Sequence, residues 1–114
     1  MGRLAGRAAI VTGGARGIGL AAAEALAREG ARVMITDIDA EPLAAEEARF
    51  ACSGLAVTGF RMDVALAADA AAMAAEAVRR MGRIDILVNN AAISDDTAID
   101  ALDEARWRHV LAVN

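Results

Sequence analysis

One stretch constrains this chain more than any other: Ala9-Ile10-Val11-Thr12-Gly13-Gly14-Ala15-Arg16-Gly17-Ile18-Gly19. A short apolar run meets a cluster of glycines, and an alanine-rich helical pattern follows. That order predicts a buried strand, a tight turn and a helix N-terminus. The first backbone N–H groups of a helix have no internal partner, and the helix dipole makes that end positive. Glycines at such a junction let the backbone approach a ligand closely and adopt positive φ. The junction is suited to an anion, above all a phosphate.

The remainder of the chain alternates the same two kinds of element. Arg7 to Val11 reads as the first strand and Ile18 to Glu29 as a helix. Ile18, Ala21, Ala22, Ala25 and Leu26 form the expected apolar face of that helix, and Gly30 closes it. Arg32 to Thr36 reads as a second strand ending at Asp37. Asp39 is placed to cap the next helix, Pro42 is tolerated in its first turn, and that helix runs to about Ala51. Leu55 to Met62 is a third strand interrupted by Gly59 and ending at Asp63. A helix from Ala67 to Met81 follows, with Gly82 after it and a poorly marked start. Ile84 to Val88 is a fourth strand leading into Asn89-Asn90-Ala91-Ala92. The loop Ile93 to Ile99 precedes Asp100, a candidate cap for a last helix. Strands alternating with helices predict an α/β fold with a parallel sheet covered on both faces. No linker or repeat divides the 114 residues, so one domain, 1–114, is expected.

Composition narrows the function classes. Net charge is −4 with no basic patch, which argues against nucleic acid as a partner. No long uncharged apolar run suggests a membrane span, and the N-terminus lacks the apolar core of a signal peptide. Cys52 is the one cysteine and fits a reducing cytoplasm. No metal-ligand spacing is visible, and the single histidine, His109, is expected to be exposed beside Arg106. All 12 basic residues are arginine and there is no tyrosine, so chemistry that needs Tyr or Lys cannot come from these residues. Trp107, Val110, Leu111 and Asn114 share one helical face, and the sequence stops on it without a cap. That stop reads as a truncation.

Thr12-Gly13-Gly14-Ala15-Arg16-Gly17-Ile18-Gly19 is a TGxxxGxG motif. Together with Asp37, Asp63-Val64, Asn89-Asn90-Ala91 and Asn114 in this order, it makes the chain resemble the N-terminal, cofactor-binding part of the short-chain dehydrogenase/reductase family. The resemblance implies a Rossmann-type doubly wound parallel sheet of strand order 3-2-1-4, truncated after the fourth strand and part of the following helix. It implies an NAD(P)-dependent oxidoreductase that moves a hydride between nicotinamide and a small alcohol or ketone. It also implies a homo-oligomer for the complete protein. The catalytic serine and YxxxK pair of the family are absent from these residues. The alternative is a non-catalytic nucleotide-binding or interaction fragment.

The resemblance also implies roles. Gly13 makes the turn, Gly17 lets the pyrophosphate approach, Gly19 allows close helix–strand packing, and the Ile18 N–H faces the pyrophosphate. A tight turn without a ligand is the plainer reading. Asp37, close to ~20 residues beyond the last glycine, would bond the adenosine ribose hydroxyls and repel a 2′-phosphate, which favours NAD. Arg16 argues the other way, toward NADP. Asp63 and Val64 would border the adenine, though a turn aspartate is the alternative for Asp63. Asn89 and Asn90 would tie the fourth strand to its neighbours, with Asn90 and Ala91 lining the ribose. The family usually has glycine where Ala92 stands. Asp85 would fix either the sheet or the pocket, or simply be solvated. Asn114 falls at the position of a water-holding asparagine in a proton relay; with no lysine present for it to serve, a solvated amide at a frayed helix end is the favoured alternative for these residues.

Overall fold

The computed structural model describes residues 2–92 and 103–114. The elements run β1 (Ala8–Thr12), α1 (Gly17–Arg28), β2 (Arg32–Asp37), α2 (Ala40–Cys52), β3 (Val57–Arg61), α3 (Ala67–Met81), β4 (Ile86–Val88) and α4 (Glu104–Val113). The four strands form one parallel sheet in the order β3-β2-β1-β4. This is the expected doubly wound arrangement, with the order reversing between β1 and β4.

The alternation of side chains along each strand sorts the core into two layers. Ala9, Val11, Val33, Ile35 and Val57 point to one face, where Ala23 and Ala27 of α1 and Leu43 and Phe50 of α2 cover them. Ala8, Ile10 and Met34 point to the other, against Met73, Ala77 and Met81 of α3. The two central strands, β1 and β2, are thus buried on both sides, which is why β1 carries no polar residue before Thr12.

The buried face of α1 differs from the expected one. Gly19, Ala23 and Ala27 are buried, while Ile18 is 82% exposed and Ala21 and Ala25 are exposed. In a helix this rich in alanine, periodicity does not select a face. The small residues spaced by four let the helix lie closest to the sheet, so they win the contact. Gly30, at φ +98°, ends the helix as expected.

Strand ends shift by one or two residues. β3 and β4 are shorter than the apolar runs, because Leu55 and Ile84 lie before the first sheet partners. β3 is an edge strand, and at Gly59 charged side chains cover it. Glu47 of α2 accepts from the Gly59 N–H, and Arg80 of α3 donates to the Gly59 carbonyl. α3 starts after Leu66 without a side-chain cap, as expected. Asp69, in its first turn, accepts from the Asp63 N–H at 2.9 Å.

Asp85 belongs to the sheet. Its carboxylate accepts from the Ala8 N–H at 2.9 Å and pairs with Arg83 and Arg7, pinning β4 to the start of β1. The Arg83 hydrogen bonds, then that of Ala8, hold its carboxyl below the ordinary range. α4 is capped by Asp103, which accepts from the Arg106 N–H at 2.8 Å. Asp100 and the loop Ile93 to Ile99 lie outside the described residues. The expected face of this helix is rotated. Val110 and Val113 are half-buried, whereas Trp107, Leu111 and Asn114 are exposed, since no described element lies over that side.

Candidate functional site

The carboxyl ends of all four strands open into one cleft of about 500 Å³. Gly13 and Arg16 line it from the β1–α1 turn, and Thr36 to Asp39 from the end of β2. Met62, Asp63 and Val64 contribute from the end of β3, and Asn90 to Ala92 from the end of β4. The switch point between β1 and β4 is therefore one part of a longer trough.

Thr12 and Asn90 hold the turn in place. The buried Thr12 hydroxyl accepts from the N–H groups of Asn90 (3.0 Å) and Ala91 (3.1 Å). Its own hydrogen goes to the Val88 carbonyl at 3.3 Å. The Asn90 amide donates to the carbonyls of Thr12 and Gly13. Asn89 is exposed, so of the two asparagines it is Asn90 that joins Thr12 in tying the strands together.

The glycines divide the work. Gly13 and Gly17 sit at φ +64° and +59°, where an L side chain is strained. The space beside Gly17 is open. Gly19 is needed for packing, as expected, but against the turn and not a strand. A Cβ there would overlap the Gly13 carbonyl and the Asn90 amide. The helix that follows lacks the usual N-terminal help. Arg16 at its N-cap makes no side-chain cap, and its first turn holds no acid, whereas α2, α3 and α4 carry Glu41, Asp69 and Glu104 there. Free N–H groups and an unneutralised dipole at this end can take an anion.

Asp37 reaches across from β2. One oxygen accepts from the Ala15 N–H at 3.3 Å and the other from the Asp39 N–H at 3.1 Å. Two bonds leave roughly half of the lone-pair sites of a carboxylate open, enough for a pair of hydroxyls. Asp63 uses one oxygen for the Ala65 N–H at 2.9 Å, so it makes the turn that was the plainer reading and still lines the cleft. Val64 packs against the α3-side core.

Several cleft residues escaped the sequence reading. Thr36 is 0% exposed, lines the cleft, and its hydroxyl has no partner among the described residues. Its place just before Asp37 is the one signal that could have found it. His109 is exposed as expected, but with Val113, four residues on, it forms part of the cleft margin. Asp39, expected to cap α2, makes no such bond; its carboxylate takes Arg16 at 2.5 Å instead. Cys52 is exposed. Asn114 is exposed and is not among the lining residues.

The short chain dehydrogenase family model matches residues 7–114. The chain belongs to this family. Among its relatives, a sorbitol dehydrogenase of Cereibacter sphaeroides is 44% identical over 98% of the chain and 43% of the relative. A D-threitol dehydrogenase of Mycolicibacterium smegmatis is 42% identical over 98% of the chain and again 43% of the relative. A short chain dehydrogenase/reductase of Burkholderia phymatum, solved with NAD, superposes with a TM-score of 0.93 at 30% identity, covering 99% of this chain and 40% of that one. Another from Burkholderia cenocepacia, solved with NADP, gives 0.91 at 37% identity, covering 97% and 46%. Either nicotinamide dinucleotide is thus found on this fold. The chain spans less than half the length of these dehydrogenases, and what it matches is their N-terminal Rossmann-type part.

Proposed function

We propose that residues 1–114 form one dinucleotide-binding domain of an NAD-dependent oxidoreductase that interconverts a small alcohol and a ketone. The reading rests most on the uncapped, acid-free N-terminus of α1 beside a cleft lined by Gly13, Asp37, Asp63 and Asn90. In this reading the turn at Gly13 and the space beside Gly17 admit the pyrophosphate, which the Ile18 N–H and its neighbours bind. Gly19 keeps the helix close to the turn. The open lone pairs of Asp37 accept from the adenosine ribose hydroxyls. Asp63 and Val64 border the adenine, and Asn90 and Ala91 line the ribose. Asn114 holds the relay position in sequence order only, exposed and apart from the cleft lining. Bound nicotinamide would supply the hydride acceptor or donor.

NAD is preferred over NADP, because the Asp37 carboxylate lies where a 2′-phosphate would add like charge. The chain has neither tyrosine nor lysine, which supports a second reading for these 114 residues alone: binding without turnover. Calorimetric titration with NAD and NADP tests the cofactor. NAD should bind more tightly, and Asp37→Asn should weaken it about tenfold through loss of charge-assisted bonds. Tighter NADP binding by the unaltered chain overturns the NAD preference. With sorbitol, threitol or simple ketones, the chain should show no change in NADH absorbance; turnover would refute the second reading.

A further inference from the structure

We propose that Asp39 is a specificity-determining residue for the dinucleotide: it holds the Arg16 guanidinium and keeps it from serving a 2′-phosphate. The proposal rests on the dinucleotide reading given above. Three observations carry it. First, Arg16 Nη2 and Asp39 Oδ2 are 2.5 Å apart, and both residues line the cleft beside Asp37. The pair therefore lies at the same corner as the carboxylate assigned to the ribose. Second, Asp39 occupies the N-cap position of α2 with extended backbone (φ −90°, ψ 102°), yet its side chain makes no cap. An aspartate there ordinarily serves its own helix. Here it serves the glycine turn instead. Third, the Asp39 N–H donates to Asp37 Oδ1 at 3.1 Å, so the two acids are set by one turn.

The charge arithmetic at this corner then changes sign of effect with Asp39. Arg16, Asp37 and Asp39 together carry one net negative charge, and a phosphate placed among them is repelled. Without Asp39 the corner is neutral, and the guanidinium is free to meet a phosphate with its two parallel donors. A cation at the N-terminus of α1 gains nothing from the helix dipole, so a released Arg16 has every reason to take another anion. The pair is largely exposed, at 63% for the Arg16 side chain and 54% for that of Asp39, so breaking it costs the fold little. Its effect is on ligand choice.

Calorimetric titration of the purified chain with NAD and NADP decides the matter, with circular dichroism to check folding. Asp39→Asn should tighten NADP about tenfold and change NAD by less than about threefold. Asp39→Ser should do the same, and Asp39→Glu, which keeps the ion pair, should not. Arg16→Ala alone should alter NADP affinity less than about twofold, but in the Asp39→Asn background it should remove the gain. High salt should shrink the gain. The proposal is overturned if Asp39→Asn leaves the NADP-to-NAD ratio unchanged, or if the gain persists without Arg16. If the unaltered chain binds neither dinucleotide, the underlying reading fails and this one falls with it.

Discussion

Asn90 spends one amide nitrogen on two carbonyls, those of Thr12 at 3.2 Å and Gly13 at 3.1 Å. Those carbonyls end β1 just where the chain turns, and no strand partner among the described residues replaces the amide. Asn90→Ala should therefore destabilise the chain by about 2 kcal/mol, read as a lower denaturant midpoint with an unchanged slope. Thr36 is the reverse case. Its buried hydroxyl bonds to nothing described, so Thr36→Val removes a desolvated group at nearly constant shape. The free chain should gain about 1 kcal/mol, and a loss of that size would show that the hydroxyl is satisfied. The two residues also differ in how far they could be read beforehand. A pair of asparagines after an apolar strand demands partners, so Asn90 was visible from its type. Asn89 was equally visible and equally expected to bond, yet it is exposed. A threonine inside Val-Met-Ile-Thr is an ordinary strand residue, and its place just before Asp37 is the one hint that it lines a cleft.

At the scale of elements, the order and kind of every described strand and helix follow from the alternation of apolar runs with helical patterns. The register and the faces do not. α1 could bury several of its alanine stripes, and the one chosen, through Gly19, Ala23 and Ala27, depends on the sheet beneath it. α4 likewise turns Val110 and Val113 inward instead of Trp107 and Leu111, because hydrophobicity alone does not say which side meets the cleft. Nor did the pattern disclose that Asp39 would give up its cap, since that choice is made by an arginine 23 residues earlier. The β3 edge adds a device that no periodicity shows. Glu47 from one face and Arg80 from the other occupy the outward N–H and C=O of Gly59, the groups another strand would use. Glu47→Ala should uncover half of that edge. It should lower stability by about 1 kcal/mol and raise self-association, measurable by denaturation and by sedimentation velocity. Unchanged values in both would show that the carboxylate merely rests there.

For the molecule as a whole, acidity acts through pairs that hold carboxyls down. Arg79 and then Arg80, hydrogen-bonded to Glu76, lower its carboxyl to about 2. The Arg28 side chain lowers that of Glu24, the Arg3 backbone N–H that of Glu29, and Arg83 with Ala8 that of Asp85. All four shifts have one sign. Each group, in the folded chain, releases its proton at lower pH than in the unfolded chain, where aspartate and glutamate titrate near ~4. Between about 2 and about 4.5 the unfolded state thus binds more protons, and stability must rise with pH through that window. The contribution is complete above about 5 and is lost as the pH falls, that of Glu76 down to about 2. The pairs are spread along the fold: Glu29 ties the N-terminal turn to the end of α1, Asp85 ties β4 to β1, and Glu24 and Glu76 lie on α1 and α3. Their loss should accordingly appear as a lower midpoint for the whole chain and not as fraying of one segment. Urea unfolding at pH 3, 4, 5 and 7, followed by far-ultraviolet circular dichroism, measures it. The midpoint should climb to about pH 5 and then level, and Glu76→Gln should flatten the part of the climb nearest pH 3. A midpoint that is level from pH 3 to pH 7 would show that these pairs are too well solvated to favour the fold.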